Sequence, residues 1–353
     1  MTVTPQEIGL LRLVAQRIAG PGEATPADVV RLLGAMQAQD PAGAVTSVAL
    51  RTEGGTRRAV QDACDAGEIV KSWPMRGTLH LVAAEDLPWL LPLTTPRVVS
   101  GSAARRAQLG IDDATVAKAR ELAEEALSGG AVTRAGLLDA WEKGGVGTTG
   151  QRGYHLIGHF AQTGLVCFGP TLDGDQALVL VDEWIRNPRR LDRDEALAEL
   201  ATRYFQSHGP ATLKDFARWA YLLMKDARTG LTLARPHLTH VEMDGTEYFM
   251  SPATPARLAA HREQAESVHL LPGFDEYVLG YQDRSAVLAP EFADHIVPGG
   301  NGVFRPTIVA SGRIIGTWRQ TIRTRSRTIT PTPFTIFPTG VPEAIETAYA
   351  ALP

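Results

Sequence analysis

The chain has 353 residues and a net charge of −4, with 44% hydrophobic and 21% charged residues. This composition is typical of a folded protein of two or three domains and excludes long disordered regions. The sequence has no apolar run of about 18 residues that could span a membrane, and residues 1–20 lack the basic start and the cleavage site of a signal peptide.

The two cysteines, Cys64 and Cys167, can form neither a disulfide framework nor a metal site of several cysteines. We expect both thiols to be buried as small apolar groups. The histidines His80, His155 and His159 lie in apolar segments without interleaved acidic ligands, which does not favour metal binding. We therefore expect a soluble, cytoplasmic protein that needs no metal or cofactor.

Three segments start with a threonine that an apolar residue follows four positions later. They are TPADVV from Thr25, TRAGLL from Thr133 and TLKDFA from Thr212. Threonine is a favoured residue for capping the start of a helix. An earlier helix candidate precedes each segment, at residues 6–19, 115–127 and 193–206. The unequal spacing excludes a regular solenoid and indicates three related units with insertions.

Each unit continues toward a pair of strands. A predicted helix at 57–70 leads to strands at 69–73 and 78–82, and one at 151–164 leads to strands at 165–169 and 177–181. In the third unit the strands are predicted at 237–243 and 247–251. Helices followed by a β-hairpin are the order of a winged helix.

We therefore predict a helix-rich α+β fold of three tandem winged helices. Their predicted bounds are 1–95, 111–185 and 191–353. The third unit also carries a C-terminal β-hairpin over 303–319 that turns at Ser311-Gly312, and a closing helix at 342–351.

Positive charge is concentrated near the C-terminus. Residues 295–342 contain no Asp or Glu and six arginines. Because the whole chain carries −4, the remaining residues carry −10. A second acid-free stretch, 87–111, contains Arg97, Arg105 and Arg106. Local basic surface on an acidic protein is typical of contact with a nucleic-acid backbone, although a solvated arginine face would give the same pattern.

The later arginines of the first stretch are spaced by two or four residues. On one extended strand Arg319, Arg323, Arg325 and Arg327 would share a face suited to phosphate contact. Arg76, in the segment MRGT, is equally compatible with phosphate contact and with an ion pair to Asp62 or Glu85.

The segment AMQAQDP, residues 35–41, places two neutral amides around one alanine. Pro41 disfavours helical conformation at Asp40, so we predict that the helix from Thr25 ends between 36 and 39. On the extended chain that follows, Gln37 and Gln39 point the same way. Amides do not titrate, which excludes an acid–base pair. The residues alone leave open a simpler role as a polar helix end.

The segment LLPGFDEYVLGYQDRS, residues 270–285, places acidic side chains among apolar ones. Asp275, Glu276 and Asp283 could form a carboxylate site. A buried strand or turn that braces the fold would give the same mixture, and we favour this second interpretation.

Four segments together carry a family resemblance. MQAQDP, SWPMRGTLHLVAAEDLPWL, LLPGFDEYVLGYQDRS and GRIIGTW occur in this order over nearly the whole chain, which resembles the winged-helix superfamily of the AlkZ and YcaQ DNA glycosylases. The catalytic signature of that superfamily is a pair of polar residues around one apolar residue. Gln37-Ala38-Gln39 resembles the Gln-apolar-Gln form of the AlkZ branch.

The resemblance implies a C-shaped arrangement with a basic concave face, and Gln37 and Gln39 as catalytic residues. It also implies a function like that of the self-resistance enzymes of antibiotic producers. The high Ala, Gly and Arg content is typical of an actinomycete protein. We expect a monomeric, monofunctional DNA glycosylase that removes N7-alkylguanine, including interstrand crosslinks, from double-stranded DNA. The arginines expected to contact DNA are Arg76, Arg313, Arg319, Arg323, Arg325 and Arg327.

Two other functions remain open from the sequence. Winged helices are often regulators without chemistry, and a fold alone does not decide function. The other function is drug sequestration, in which tryptophans would line a groove. Its candidate residues are Trp73, Trp89, Trp219 and Trp318, and we favour core positions for them.

Overall fold

A computed structural model describes residues 3–172, 174–323 and 326–353 of the chain. Its helices are α1 (Pro5–Ala15), α2 (Pro26–Leu33), α3 (Pro41–Leu50), α4 (Arg57–Asp65), α5 (Leu87–Thr94), α6 (Pro96–Gly101), α7 (Ala103–Gln108), α8 (Asp113–Leu127), α9 (Arg134–Lys143), α10 (Arg152–Gln162), α11 (Val181–Trp184), α12 (Arg193–His208), α13 (Leu213–Trp219), α14 (Met224–Ala234), α15 (Thr254–Glu266), α16 (Glu276–Leu279), α17 (Ala293–Ile296) and α18 (Val341–Ala350).

The strands are β1 (Met36–Gln37), β2 (Ile69–Met75), β3 (Thr78–Ala83), β4 (Val166–Leu172), β5 (Asp175–Leu180), β6 (Thr239–Met243), β7 (Thr246–Met250), β8 (Val268–Leu271), β9 (Thr307–Ala310), β10 (Arg313–Arg323) and β11 (Ser326–Pro333). The predicted helix-rich α+β class is confirmed.

The three predicted threonine caps are present. The hydroxyl oxygens of Thr25, Thr133 and Thr212 each accept a hydrogen bond from the backbone N–H three residues later, at the starts of α2, α9 and α13. Each bond satisfies a donor that the first turn of a helix leaves without an intrahelical partner. The spacing of threonine and apolar residues therefore placed these helix starts correctly.

The predicted hairpins are also present. The pairs β2–β3, β4–β5 and β6–β7 are antiparallel, and each follows helices in the predicted order. The division into three winged helices at 1–95, 111–185 and 191–353 stays a prediction.

The chain forms two compact units, one from Met1–Val60 with Leu197–Pro353 and the other from Gln61–Ala196. In the first unit, α1 is buried along most of its length, and its apolar side chains pack with Tyr277, Val309 and Ile314. The same unit contains a sheet in the order β11-β10-β9-β8. In the second unit, strands lie in the order β3-β2-β4-β5, and Trp141 and Phe160 are centred in its core.

The turn at Ser311-Gly312 is confirmed as the connection between β9 and β10. Both residues have positive φ, 47° and 73°, as a two-residue hairpin turn of this hand requires. The hairpin extends further than predicted, because β10 continues to Arg323 and then pairs with β11.

Both cysteines are buried. Burial raises the pKa of each thiol to about 12, so neither is a reactive thiolate near neutral pH. Among the described residues no group of three or more His, Cys, Asp or Glu side chains is placed to hold a metal ion. No helix in the described ranges is long and apolar enough to cross a membrane.

The backbone of α1 passes directly against the Ser311-Gly312 turn. A Cβ at Gly9 would lie 2.1 Å from the carbonyl oxygen of Gly312. The hydroxyl of Tyr277 donates to the carbonyl oxygens of both glycines, at 3.3 Å and 2.8 Å. Only glycine permits this approach, which fixes the base of the C-terminal hairpin against α1 within the first unit.

We expect Gly9→Ala to lower the free energy of unfolding by about 1–3 kcal/mol, because backbone atoms must move apart to admit the methyl group. Gly158→Ala is the matched control, since a Cβ at this helical glycine meets open space and alanine should stabilise α10 by about 0.5–1 kcal/mol. Urea denaturation of both variants measures the difference. Equal stability of the two variants would show that the close approach is relieved without cost.

Candidate active site at the glutamine pair

The glutamine pair lies on a short extended segment that follows α2. The helix ends at Leu33, earlier than the predicted 36–39, because Gly34 takes a positive φ of 77° and closes the helix end. Met36 and Gln37 then form β1. The predicted extended conformation is confirmed, and it brings the two side chains together: Gln37 Nε2 donates to Gln39 Oε1 at 3.3 Å.

The two amides differ in exposure. Gln37 is only 8% exposed, whereas Gln39 is exposed to solvent. The inner glutamine thus orients the outer one, and the outer one is available to a water molecule or to a bound molecule. A hydrogen-bonded amide pair of this kind can place a water molecule without itself changing charge.

Glu276 holds the backbone of the inner glutamine. Its Oε1 accepts from the N–H of Gln37 at 3.2 Å. Its Oε2 accepts from the indole N–H of Trp219 at 3.0 Å and lies 3.3 Å from His208 Nε2. The carboxylate is 1% exposed, so these contacts replace its hydration.

The preceding residue, Asp275, holds the far end of α3. Its two oxygens accept from Arg51 at 2.8 Å and 2.9 Å, and it also accepts from the hydroxyl of Ser47. Both members of the Asp275–Arg51 ion pair are fully buried. Arg51 also donates to the side-chain oxygen of Gln16 at 3.0 Å. The interpretation of residues 270–285 as a brace is confirmed for these two carboxylates.

An open groove is lined by residues that follow the glutamine pair in the chain, starting at Asp40. It has a volume of about 270 Å³ and is lined on one side by Asp40, Gly43 and Thr46. Its lining also includes Gln320 and Ile322 of β10 and Arg327 of β11. Ile322 is 69% exposed, which is unusual for so large an apolar side chain. The groove is therefore an open cleft with an exposed apolar side chain, Ile322, in its lining, and not a closed pocket.

The structure separates the C-terminal arginines. Arg319 and Arg323 lie on one face of β10 and are exposed. The chain reverses direction between β10 and β11, and Arg327 on β11 pairs directly with Ile322 on β10. Directly paired residues point to the same face of a sheet, so Arg327 points to the face of Ile322 and away from Arg319. The prediction that these residues share one face of a single strand is wrong for Arg327. Arg325 lies outside the described residues.

Two of these arginines also have contacts within the protein. Arg327 donates to the carbonyl oxygens of Tyr349 and Ala350 at 3.2 Å each, at the end of α18. Arg313 is half-buried and donates to the carbonyl oxygen of Ala286 at 3.4 Å. Arg319, Arg323 and Arg327 are all exposed, and Arg327 also lines the groove, so the half-buried Arg313 is the least accessible of the four for phosphate contact.

Arg76 belongs to the second unit. It lies in the turn between β2 and β3 with a positive φ of 55°, and its Nη2 is 3.0 Å from Nε2 of His80. The acid-free stretch 87–111 is in the same unit. Burial lowers the pKa of His155, and the positive charges of Arg105 and Arg106 lower it further.

The four tryptophans considered for a drug-binding groove, Trp73, Trp89, Trp219 and Trp318, are each at most 5% exposed. Their preferred assignment to the core is confirmed. Sequence reasoning missed the link from Glu276 to Gln37, although an acidic residue inside an apolar segment was a usable signal, since carboxylates are rarely buried without partners.

Asp275→Asn tests the brace. We expect it to lower the free energy of unfolding by about 3–5 kcal/mol, because the guanidinium of Arg51 stays buried without its counter-charge. Glu7→Gln, in the exposed Glu7–Arg262 ion pair, is the control and should change the thermal midpoint little. Equal shifts of the thermal midpoint in the two variants would contradict the brace.

The chain is similar to known proteins over nearly its whole length. The family model for AlkZ-like DNA glycosylases matches residues 30–352. The "Interstrand DNA cross-link repair glycosylase" of Streptomyces sahachiroi is 27% identical over 359 residues, which covers 95% of this chain and 92% of that protein. The solved structure of Streptomyces sahachiroi DNA glycosylase AlkZ aligns with a TM-score of 0.80 at 25% identity, covering 99% of this chain and 96% of that one.

Proposed function

The chain belongs to the AlkZ-like DNA glycosylase family, and from this premise we propose that it hydrolyses the N-glycosidic bond of N7-alkylguanine in double-stranded DNA, including interstrand crosslinks. The observation that carries the proposal is the amide pair, in which Gln37 donates to the exposed Gln39 at 3.3 Å, while the next residue, Asp40, lines an open groove. The S. sahachiroi relative, whose name states crosslink repair, supports the inclusion of crosslinks.

The chemistry of the lesion explains why neutral amides suffice. Guanine alkylated at N7 carries a positive charge and leaves as a neutral base, so it needs little protonation by an acid. Cleavage leaves oxocarbenium character on the sugar, as in the hydrolysis of glycosides. The protein must then place a water molecule at C1′ and stabilise the positive charge.

The amide pair can do both. The exposed amide of Gln39 is placed to hold a water molecule, and an amide oxygen presents partial negative charge toward the sugar. Gln37 restricts the rotation of Gln39. Because neither group ionises, normal purines, which are poor leaving groups, are cleaved too slowly to be substrates. Residues 1–70 contain no lysine, which favours hydrolysis by water over a lysine Schiff base.

An open groove suits a crosslinked base. Most enzymes that act on a base rotate it out of the duplex into a tight pocket, but a base tethered to the opposite strand cannot rotate freely. The cleft between Asp40 and the β10–β11 hairpin gives access without full rotation. Arg319 and Arg323 supply phosphate contacts on the outer face of that hairpin. Arg76, Arg313, Arg325 and Arg327 complete the proposed DNA-contact set.

We further propose that the protein acts as a monomer in self-resistance to a DNA-alkylating antibiotic. The three helix–hairpin modules within one chain make a second copy unnecessary for covering a duplex.

Base release tests the proposed chemistry. We expect Gln37→Ala and Gln39→Ala each to slow release of N7-alkylguanine from duplex DNA by about 10²-fold or more, as the loss of one transition-state contact does elsewhere, with DNA binding retained. Gln6→Ala, an exposed glutamine on α1, is the matched control. The readout is free modified base together with an alkali-labile abasic site.

The outcomes separate the candidate functions. No release by the unaltered protein, with tight binding to DNA or to the drug, would leave a regulator or a sequestration protein. Release that survives both substitutions would keep the enzyme and place its active site elsewhere.

Salt dependence tests the hairpin arginines. Arg319→Ala and Arg323→Ala should each reduce the slope of log K against log salt concentration by about 1, because each removes one phosphate contact. Arg120→Ala, on α8 in an exposed ion pair with Glu124, is the control and should leave the slope unchanged. An unchanged slope for both hairpin variants would remove this face from the DNA interface.

A further inference from the structure

We propose that Glu276 is a positioning residue for the reaction, acting through the backbone of Gln37. The inference rests on the proposed function of the glutamine pair. Glu276 lies 239 positions away in sequence from Gln37, yet its carboxylate is the hydrogen-bond acceptor for the Gln37 N–H, at 3.2 Å.

The two oxygens of the Glu276 carboxylate make different contacts, which supports the proposal. Oε1 accepts from the backbone N–H of Gln37, while Oε2 accepts from the indole N–H of Trp219 and lies beside His208 Nε2. Each oxygen thus holds a different part of the first unit. A carboxylate provides two acceptor oxygens, whereas an amide provides one acceptor and one donor. A glutamine at 276 therefore cannot keep both sets of contacts.

The surroundings of the carboxylate leave it little freedom to move. The ring of His208 stacks on Tyr204 with centroids 4.8 Å apart, and a Cβ at Gly280 would lie 2.6 Å from Cδ2 of His208. The hydroxyl of Tyr204 donates to the carbonyl oxygen of Gly280 at 2.6 Å. These contacts fix His208, which lies 3.3 Å from Oε2, and so restrict movement of the carboxylate whose Oε1 accepts from Gln37.

Rigidity at this point matters for the two amides. β1 has only two residues, and the Gln37–Gln39 contact spans the single residue Ala38. A rotation of the Gln37 backbone would displace its amide from Gln39. Displacements of about 1 Å in a positioned group can slow an enzymatic step by about 10²-fold.

The first experiment is a double-mutant cycle on single-turnover base release from a duplex with one N7-methylguanine. We expect Glu276→Gln to slow release at least tenfold while the dissociation constant for the same duplex changes less than twofold. Because Glu276 acts through Gln37, adding Glu276→Gln to Gln37→Ala should slow release no further. Equal slowing in both backgrounds would overturn the inference.

Trp219→Phe is the matched control. It removes a hydrogen bond to Oε2 of the same buried carboxylate and leaves the Gln37 contact in place. We expect a loss of thermal midpoint like that of Glu276→Gln, but less than threefold slowing. Equal slowing in the two variants would assign the effect to general loss of stability. If Glu276→Gln does not fold, Glu276→Asp, which keeps the charge but draws the oxygens back, takes its place with the same expectations.

A readout independent of activity separates this inference from the proposed function. Hydrogen exchange of the Gln37 amide should accelerate at least tenfold in Glu276→Gln and stay near the unaltered rate in Trp219→Phe. Unchanged protection of Gln37 in Glu276→Gln would overturn the inference, whatever the activity. Absence of base release by the unaltered protein would instead overturn the proposed function, and the role of Glu276 in catalysis with it.

Discussion

Two consecutive buried carboxylates determine the geometry of the candidate site. Asp275 neutralises Arg51 at the end of α3, and Glu276 holds the N–H of Gln37 before the start of α3. The segment that carries the glutamines is thus fixed at both ends by one dipeptide. Burying carboxylates without partners would cost several kcal/mol each, so the fold keeps them only because the arginine, the indole and the backbone satisfy them.

This arrangement connects distant parts of the chain into one site. Residues 35–51 and 275–276 meet through side-chain contacts, and Gln16 of the α1 region joins them through Arg51. A site built this way is rigid in its backbone and still open at its surface. The inner amide is held by the core, and the outer amide faces solvent. Such preorganisation suits chemistry in which the protein positions water rather than exchanging protons.

The C-terminal hairpin provides the second side of the same site. Its base is fixed by the close approach of Gly9 and Gly312, while its outer part bears exposed arginines on one face and exposed Ile322 on the other. Arg327, also exposed, lies on the same face as Ile322, so positive charge is present on both faces of the ribbon. The groove face therefore combines the apolar side chain of Ile322 with the charge of Arg327.

The sequence alone determined three threonine-capped helix starts, the hairpins, the Ser311-Gly312 turn and the pairing of Gln37 with Gln39. Capping, turn formation and side-chain alternation depend on neighbours within a few residues. Only the tertiary structure decided that Glu276 holds Gln37 and that Arg327 faces away from Arg319. Both depend on where distant segments meet and on where β10 reverses, and no local pattern specifies contacts across more than 200 residues.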